Sequence, residues 1–420
     1  MEELIMKLKY GSEKIELDLA RLSNSQILRP NEKIGLKNAQ DEVNKQLKDP
    51  IATPALKELV VEKEPEDVVI IVNDVSRATP YKIMLPPLLA ELEENGVAKE
   101  DISLIIATGI HDPNTEEQNR NIFGDKIVDN YRLVSHNPDH NLADLGELSS
   151  GNRLYLNEEV VAADLLITTG VIAPHYFAGF SGGRKSILPG VAGRETIQAN
   201  HARMVNLIGN LPPIEENPIS QEMIEGARLA GVDFILNVVT NSQKEIVDVV
   251  AGDLEEAWLR GINTSKEMYH VELDEKVEVA VVSAGGYPKD INIYQAQKAL
   301  DNADGVVKEG GTIILLAECR NGLGEETFEE WLDEADIPED NIERIKDKFV
   351  LGGHKAFAIS KVVTEKDVIL LCEFSEEETE NMFVEKRDSL NQVITEINQK
   401  YDDYSSIVLP QGGVTVPVVR

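Results

Sequence analysis

Cysteine is almost missing from this chain. Only Cys319 and Cys372 occur in 420 residues, far apart and outside any CxxC, so neither a disulfide framework nor a thiolate zinc site is indicated. Basic residues are also scarce, with 41 Lys and Arg against 75 Asp and Glu and a net charge of −34. A phosphate backbone needs a basic face, so nucleic acid is not an expected partner. No apolar run approaches the roughly 18 residues of a membrane span, and no membrane association is expected. The opening stretch MEELIMKLKYGSEKIELDL holds no apolar signal segment and no cleavage signature, so cytoplasm is the expected location. It suggests instead two strands around Tyr10-Gly11-Ser12. No internal repeat and no low-complexity segment is visible.

What is present is a soluble, globular composition, 42 % hydrophobic and 28 % charged, long enough for two or three domains. Short apolar runs alternate with helical patterns, which predicts an α/β fold. Strands are expected at residues 67–73, 102–107, 164–169 and 234–239, then at 277–283, 312–317, 368–372 and 407–409. Such continuous apolar runs suit parallel strands covered on both faces. Helices are expected at 83–94, 194–208, 221–230, 254–267, 293–303 and 378–399. An acidic connector near 271–276 suggests two α/β domains with mostly parallel sheets, residues 1–270 and 275–404, with the active site in the cleft between them. The tail 405–420 is expected to return to the first domain.

Ligands of open α/β sheets sit beyond the carboxyl ends of the strands. Four expected strand ends here carry unusual polar residues: Asp74-Val75-Ser76-Arg77-Ala78-Thr79-Pro80, Thr108-Gly109-Ile110-His111, the run ending Pro174-His175, and Gly285-Gly286-Tyr287-Pro288-Lys289-Asp290. An isolated loop histidine is most often only hydrogen-bonded. Two of them, His111 and His175, at separate strand ends suit acid–base work near neutral pH.

Between His175 and His201 runs HYFAGFSGGRKSILPGVAGRETIQANH. Ser181, Gly182 and Gly183 suggest a close approach to phosphate, and Arg184 and Lys185 supply positive charge. The alternative is a plain Gly-rich surface loop. A P-loop is excluded, because Arg184 separates Gly183 from Lys185 and Pro189-Gly190 breaks the helix that should follow. Lys185 is either an ordinary surface lysine or, if desolvated, a nucleophilic anchor. His201 has no companion ligand at HxxxH or HExxH spacing. If it binds a metal, most other ligands come from elsewhere. Tyr294 and Lys298 share a face of an expected helix, with Gln295 about 100° away. In so acidic a chain, Lys298 and Arg77 are candidates to hold a carboxylate.

Together DVSRATP, ATGIHDP, APHYFAGFSGGRKSILPG, the later Asn-His, GGYPKDINIYQAQKAL and LGGHKA resemble the nickel-dependent lactate racemase family over most of the chain. The resemblance implies a nickel pincer nucleotide (pyridinium-3,5-bisthiocarboxylic acid mononucleotide with nickel) linked through Lys185, with His201 as the metal ligand. It implies His111 and His175 as the acid–base pair. Arg77 and Lys298 would stabilise carboxylate or cofactor charge, Tyr294 and Gln295 would lie nearby, and Asp74 would be a further active-site position. The Ser181–Gly183 loop is the expected phosphate holder. The implied reaction inverts a small 2-hydroxy acid by hydride transfer through a keto acid. Lactate is the leading substrate, with malate or longer 2-hydroxy acids as alternatives and Phe357 as the expected pocket aromatic. Cofactor maturation enzymes are implied partners.

Three other classes stay in view. A nicotinamide-dependent dehydrogenase needs a GxGxxG turn, which is absent. A non-enzymatic cofactor-binding protein would be expected to lack a catalytic histidine. A metal hydrolase needs clustered ligands.

Overall fold

The computed structural model describes residues 5–207 and 211–420. It divides into two compact units. One comprises residues 32–203 and 212–268; the other takes residues 5–31, 204–207, 211 and 269–420.

The first unit is built on a six-stranded sheet in the order Ile246–Gly252, Phe234–Thr240, Leu165–Val171, Val68–Asn73, Ile102–Ala107, Arg132–Ser135. All neighbours are parallel except the Phe234–Thr240 and Ile246–Gly252 pair. In chain order the strands therefore run 3-2-1-4-5-6 across the sheet, the doubly wound arrangement of dinucleotide-binding folds. The direction of winding reverses between Val68–Asn73 and Leu165–Val171. The crevice beyond those two carboxyl ends is where such a sheet takes a ligand. The central strands are apolar on both faces, because helices cover both: Val68, Ile70 and Val72 pack in one cluster with Leu85, Leu88 and Leu92 of the Tyr81–Glu94 helix.

The second unit has its own six-stranded sheet, parallel throughout: Glu385–Lys386, Asp367–Leu371, Val307–Leu316, Val277–Ser283, Ser406–Leu409, Ser25–Ile27. Its core joins Val279, Val281, Ile314 and Val408 to Leu8 and Leu17, the latter two from the hairpin Ile5–Tyr10 and Glu13–Asp18.

Four expectations require correction. Residues 5–31 belong with the second unit, because Ser25–Ile27 pairs with Ser406–Leu409. The tail does not return to the first unit: Ser406–Leu409 also pairs with Val277–Ser283, and Val416–Val419 pairs with His270–Leu273. The expected helix 378–399 is two helices, Glu376–Glu380 and Leu390–Lys400. Phe383 in the left-handed region breaks the first, and Ser389 caps the start of the second. The helix expected at 194–208 is Arg194–Ala202 followed by a 3-10 turn, Arg203–Asn206, and residue 208 lies outside the described residues.

Candidate active site

Asp74 follows the first sheet strand at the point of reversal. It is almost fully buried, and its Oδ2 lies 2.7 Å from His111 Nδ1. A carboxylate only accepts, so it takes the Nδ1 proton and leaves the lone pair on Nε2. The Ser76 hydroxyl donates to the other oxygen at 2.6 Å. Burial pushes the Asp74 carboxyl up, but bonds from His111 and Ser76 and the charges of His111 and Arg77 outweigh it, holding the carboxyl below its usual range. His111, at the end of the neighbouring strand, is half exposed.

The second half of this site comes from the strand across the reversal. Leu165–Val171 leads into a small hairpin, Pro174–His175 with Gly179–Phe180, and then into the 3-10 turn Gly183–Ser186. The hairpin returns Lys185 to His175: Nζ lies 3.1 Å from His175 Nε2. His175 stacks on Tyr176 and meets Phe177 edge-on at 4.5 Å between ring centres. Phe177 is 4.8 Å from the His201 ring on its other side, and the Lys185 amine lies 5.1 Å from the same phenyl ring. His175, Lys185 and His201 thus converge around one phenyl ring.

Electrostatics distinguish these groups from surface residues. Loss of water lowers the Lys185 amine well below its ordinary value, helped by the Arg184 and Arg77 charges. Burial lowers His201 to about 3, with Lys185 adding to the shift and a hydrogen bond to the Ile197 backbone opposing it. The His201 imidazole is therefore neutral near pH 7, and the Lys185 amine is shifted toward its neutral form. A neutral amine is a nucleophile and a neutral imidazole is a metal ligand. Among the described residues no cluster of three His, Cys, Asp or Glu side chains could hold a metal, so a metal at His201 needs ligands from another molecule.

The Ser181–Gly183 loop, the expected phosphate holder, makes these bonds within the chain. The Ser181 hydroxyl donates to Val171 O at 2.7 Å and accepts from Ala173 N. Gly183 N donates to Asn237 Oδ1 at 2.7 Å. The glycines answer to backbone and packing: both have positive φ, a Cβ on Gly182 would lie 2.7 Å from Ile172, and one on Gly183 would lie 3.0 Å from Trp258. Arg184 is internal as well. Its guanidinium stacks 3.7 Å from the Trp258 ring centre and donates to Ala178 O, Phe180 O and Ser220 Oγ. The loop is wound around this cation.

In the second unit the Ile293–Asp304 helix, capped by Asn292, carries Tyr294, Gln295 and Lys298. It follows Val277–Ser283, the strand at that sheet's own reversal. Burial raises the Tyr294 phenol to about 12, so it stays a donor. Its ring is edge-on to Phe328 at 5.8 Å and lies 6.4 Å from His354. Lys355 Nζ sits 5.1 Å from the same ring and donates to Gln297 at 2.9 Å. Sequence analysis did not single out His354 and Lys355, although both lie in the LGGHKA motif. The aromatic beside them is Phe349, stacked on His354. Phe357, the expected pocket aromatic, is 2 % exposed and part of the core.

No helix is long and apolar enough to cross a membrane among the described residues.

Comparison with known proteins identifies the family. Residues 10–209 match the lactate racemase N-terminal domain and residues 273–418 the lactate racemase C-terminal domain. A lactate racemase of Thermoanaerobacterium thermosaccharolyticum is 34% identical over 98% of this chain and 99% of its own. One from Lactiplantibacillus plantarum is 40% identical over 73% of this chain and 72% of its own. The structure of the lactate racemase apoprotein from T. thermosaccharolyticum superposes with a TM-score of 0.90, at 33% identity, over 99% of this chain and all of that one. A Thermotoga maritima protein of 19% identity shares the fold, with a TM-score of 0.66 over 92% of this chain and all of that one. The chain is an isomerase and belongs to the lactate racemase family.

Proposed function

We propose that this enzyme interconverts the enantiomers of a small 2-hydroxy acid, lactate first among them, with a nickel pincer nucleotide attached at Lys185. The observation that carries the proposal is the pairing of a desolvated Lys185 amine with a neutral His201 imidazole around Phe177. The chemistry of this donor pair fits the group: Lys185 would hold it covalently, and His201 would complete the coordination of its nickel. Once bound, the group supplies a reversible acceptor for the hydride on the substrate's α-carbon.

The chain's own residues then have defined tasks. His111 uses Nε2, because Asp74 occupies Nδ1. It takes the hydroxyl proton of one enantiomer and returns it on the reverse path. His175 does the same for the other enantiomer. In the bare chain His175 Nε2 is engaged by the Lys185 amine; converting that amine to an amide-like nitrogen would end this engagement. Arg77 is assigned to the substrate carboxylate. Phe177 and the hairpin keep water from the Lys185 amine. Such general acid–base work contributes about 10²–10⁴-fold to the rate.

The test is to produce the chain together with cofactor maturation enzymes and to measure intact mass, nickel content and optical rotation of D- or L-lactate. A mass gain mapped to Lys185, lost in Lys185→Ala, and decay of rotation are expected. Added NAD should change nothing. A loaded chain that racemises no 2-hydroxy acid, or one with no adduct at Lys185, overturns the proposal.

A further inference from the structure

The helix Arg194–Ala202 carries His201 and packs beside the helix Pro218–Leu229. Between them lies Glu222, a carboxylate 2 % exposed. Its Oε1 accepts from Asn152 Nδ2 at 2.7 Å and from Asn200 Nδ2 at 3.1 Å. Its Oε2 lies 2.9 Å from Arg203 Nε. Arg203 also donates to Ser150 O at 2.8 Å, and Asn152 to Thr196 O at 3.0 Å. Two of the three groups on Glu222 flank His201, one residue before it and two after.

Residues three apart share a helix face, and the two between them point elsewhere. Clamping Asn200 and Arg203 to one carboxylate therefore fixes the rotation of the helix end. That rotation aims His201 at Phe177, 4.8 Å away between ring centres. A buried carboxylate is a costly way to pack two helices, since an apolar side chain would do so without desolvation. What the carboxylate adds is direction. We infer that Glu222 is a positioning residue for His201, acting through Asn200 and Arg203 without touching the metal that His201 holds. This rests on the reading of His201 as the nickel ligand.

The experiment uses full-length chains produced with the maturation enzymes: wild type, Glu222→Gln, Arg203→Met and His201→Ala. Intact mass reports attachment at Lys185. Nickel per chain is followed during challenge with EDTA, and thermal midpoints are recorded. Glu222→Gln keeps volume but sets an amide donor against Arg203 or the asparagines. It should retain the Lys185 adduct and lose nickel about 10–100-fold faster than wild type, the size usual for groups that orient a metal ligand. Arg203→Met, with a partly exposed side chain, should shift the same way and decides the matter if Glu222→Gln does not fold. Nickel retention equal to wild type in the folded variants, with His201→Ala losing it, overturns the role of Glu222. So does a parallel loss of adduct, nickel and thermal midpoint. If wild type gains no adduct, or His201→Ala holds nickel as wild type does, the reading of His201 fails and the proposal falls with it.

Discussion

At the scale of the residue, the unusual feature is a set of ionisable groups kept nearly out of water. Asp74 is held ionised by His111 and Ser76 while nearly out of water. Replacing it with asparagine removes the acceptor that fixes the His111 tautomer, because an amide can also donate to Nδ1. Asp74→Asn is expected to lower kcat by about 10²–10⁴-fold, about as much as His111→Ala. Steady-state racemisation in both directions measures this. A variant within a few-fold of wild type would remove Asp74 from the mechanism. His111, His175, Lys185 and His201 stand out in the sequence because each ends a strand or sits in a motif. Their company does not. Nothing local announces that Phe177 touches both His175 and His201, or that Glu222 grips the residues around His201.

At the scale of the element, the loop from Ala178 to Lys185 has the clearest design. Arg184 satisfies carbonyls that point inward, and Trp258 covers its flat face while donating to Ser181 O at 2.9 Å. Arg184→Met would leave Ala178 O and Phe180 O without donors in a dry interior. A cost of about 3–5 kcal/mol is expected, read as a lower urea midpoint. Arg184→Lys should not restore it, since one ammonium cannot reproduce a planar fan of donors. Full stability in either variant would show that the loop is held by other means. Fold class and eight main strands were legible because both faces of the central strands are buried and so read as unbroken apolar runs. Short or half-exposed strands such as Arg132–Ser135, Leu142–Glu147 and Arg153–Asn157 carry no such run. The packing of the glycines at 182 and 183 against Ile172 and Trp258 was not legible, because Trp258 lies far away in sequence.

At the scale of the whole molecule, charge dominates. A net charge of −34 repels itself more strongly when compact than when unfolded. Salt shortens the reach of that repulsion, to about 8–10 Å at 0.1–0.15 M. Raising NaCl from 10 to 150 mM is therefore expected to raise the melting temperature by several degrees, as scanning calorimetry can record. A flat or falling trend would mean that ion pairs such as Arg120 with Glu116 and Asp129 outweigh the excess of carboxylates.

The pairing of Ser25–Ile27 with Ser406–Leu409 also sets a timetable for biogenesis. Residues 32–268 hold every strand of their sheet, so that half can mature while the rest is still being translated. The segment before it must idle until its neighbour emerges about 380 residues later, roughly 20–75 s at ordinary ribosomal speed. During that delay its apolar hairpin has no native surface to cover it, which makes the nascent N-terminal stretch the natural client for a chaperone.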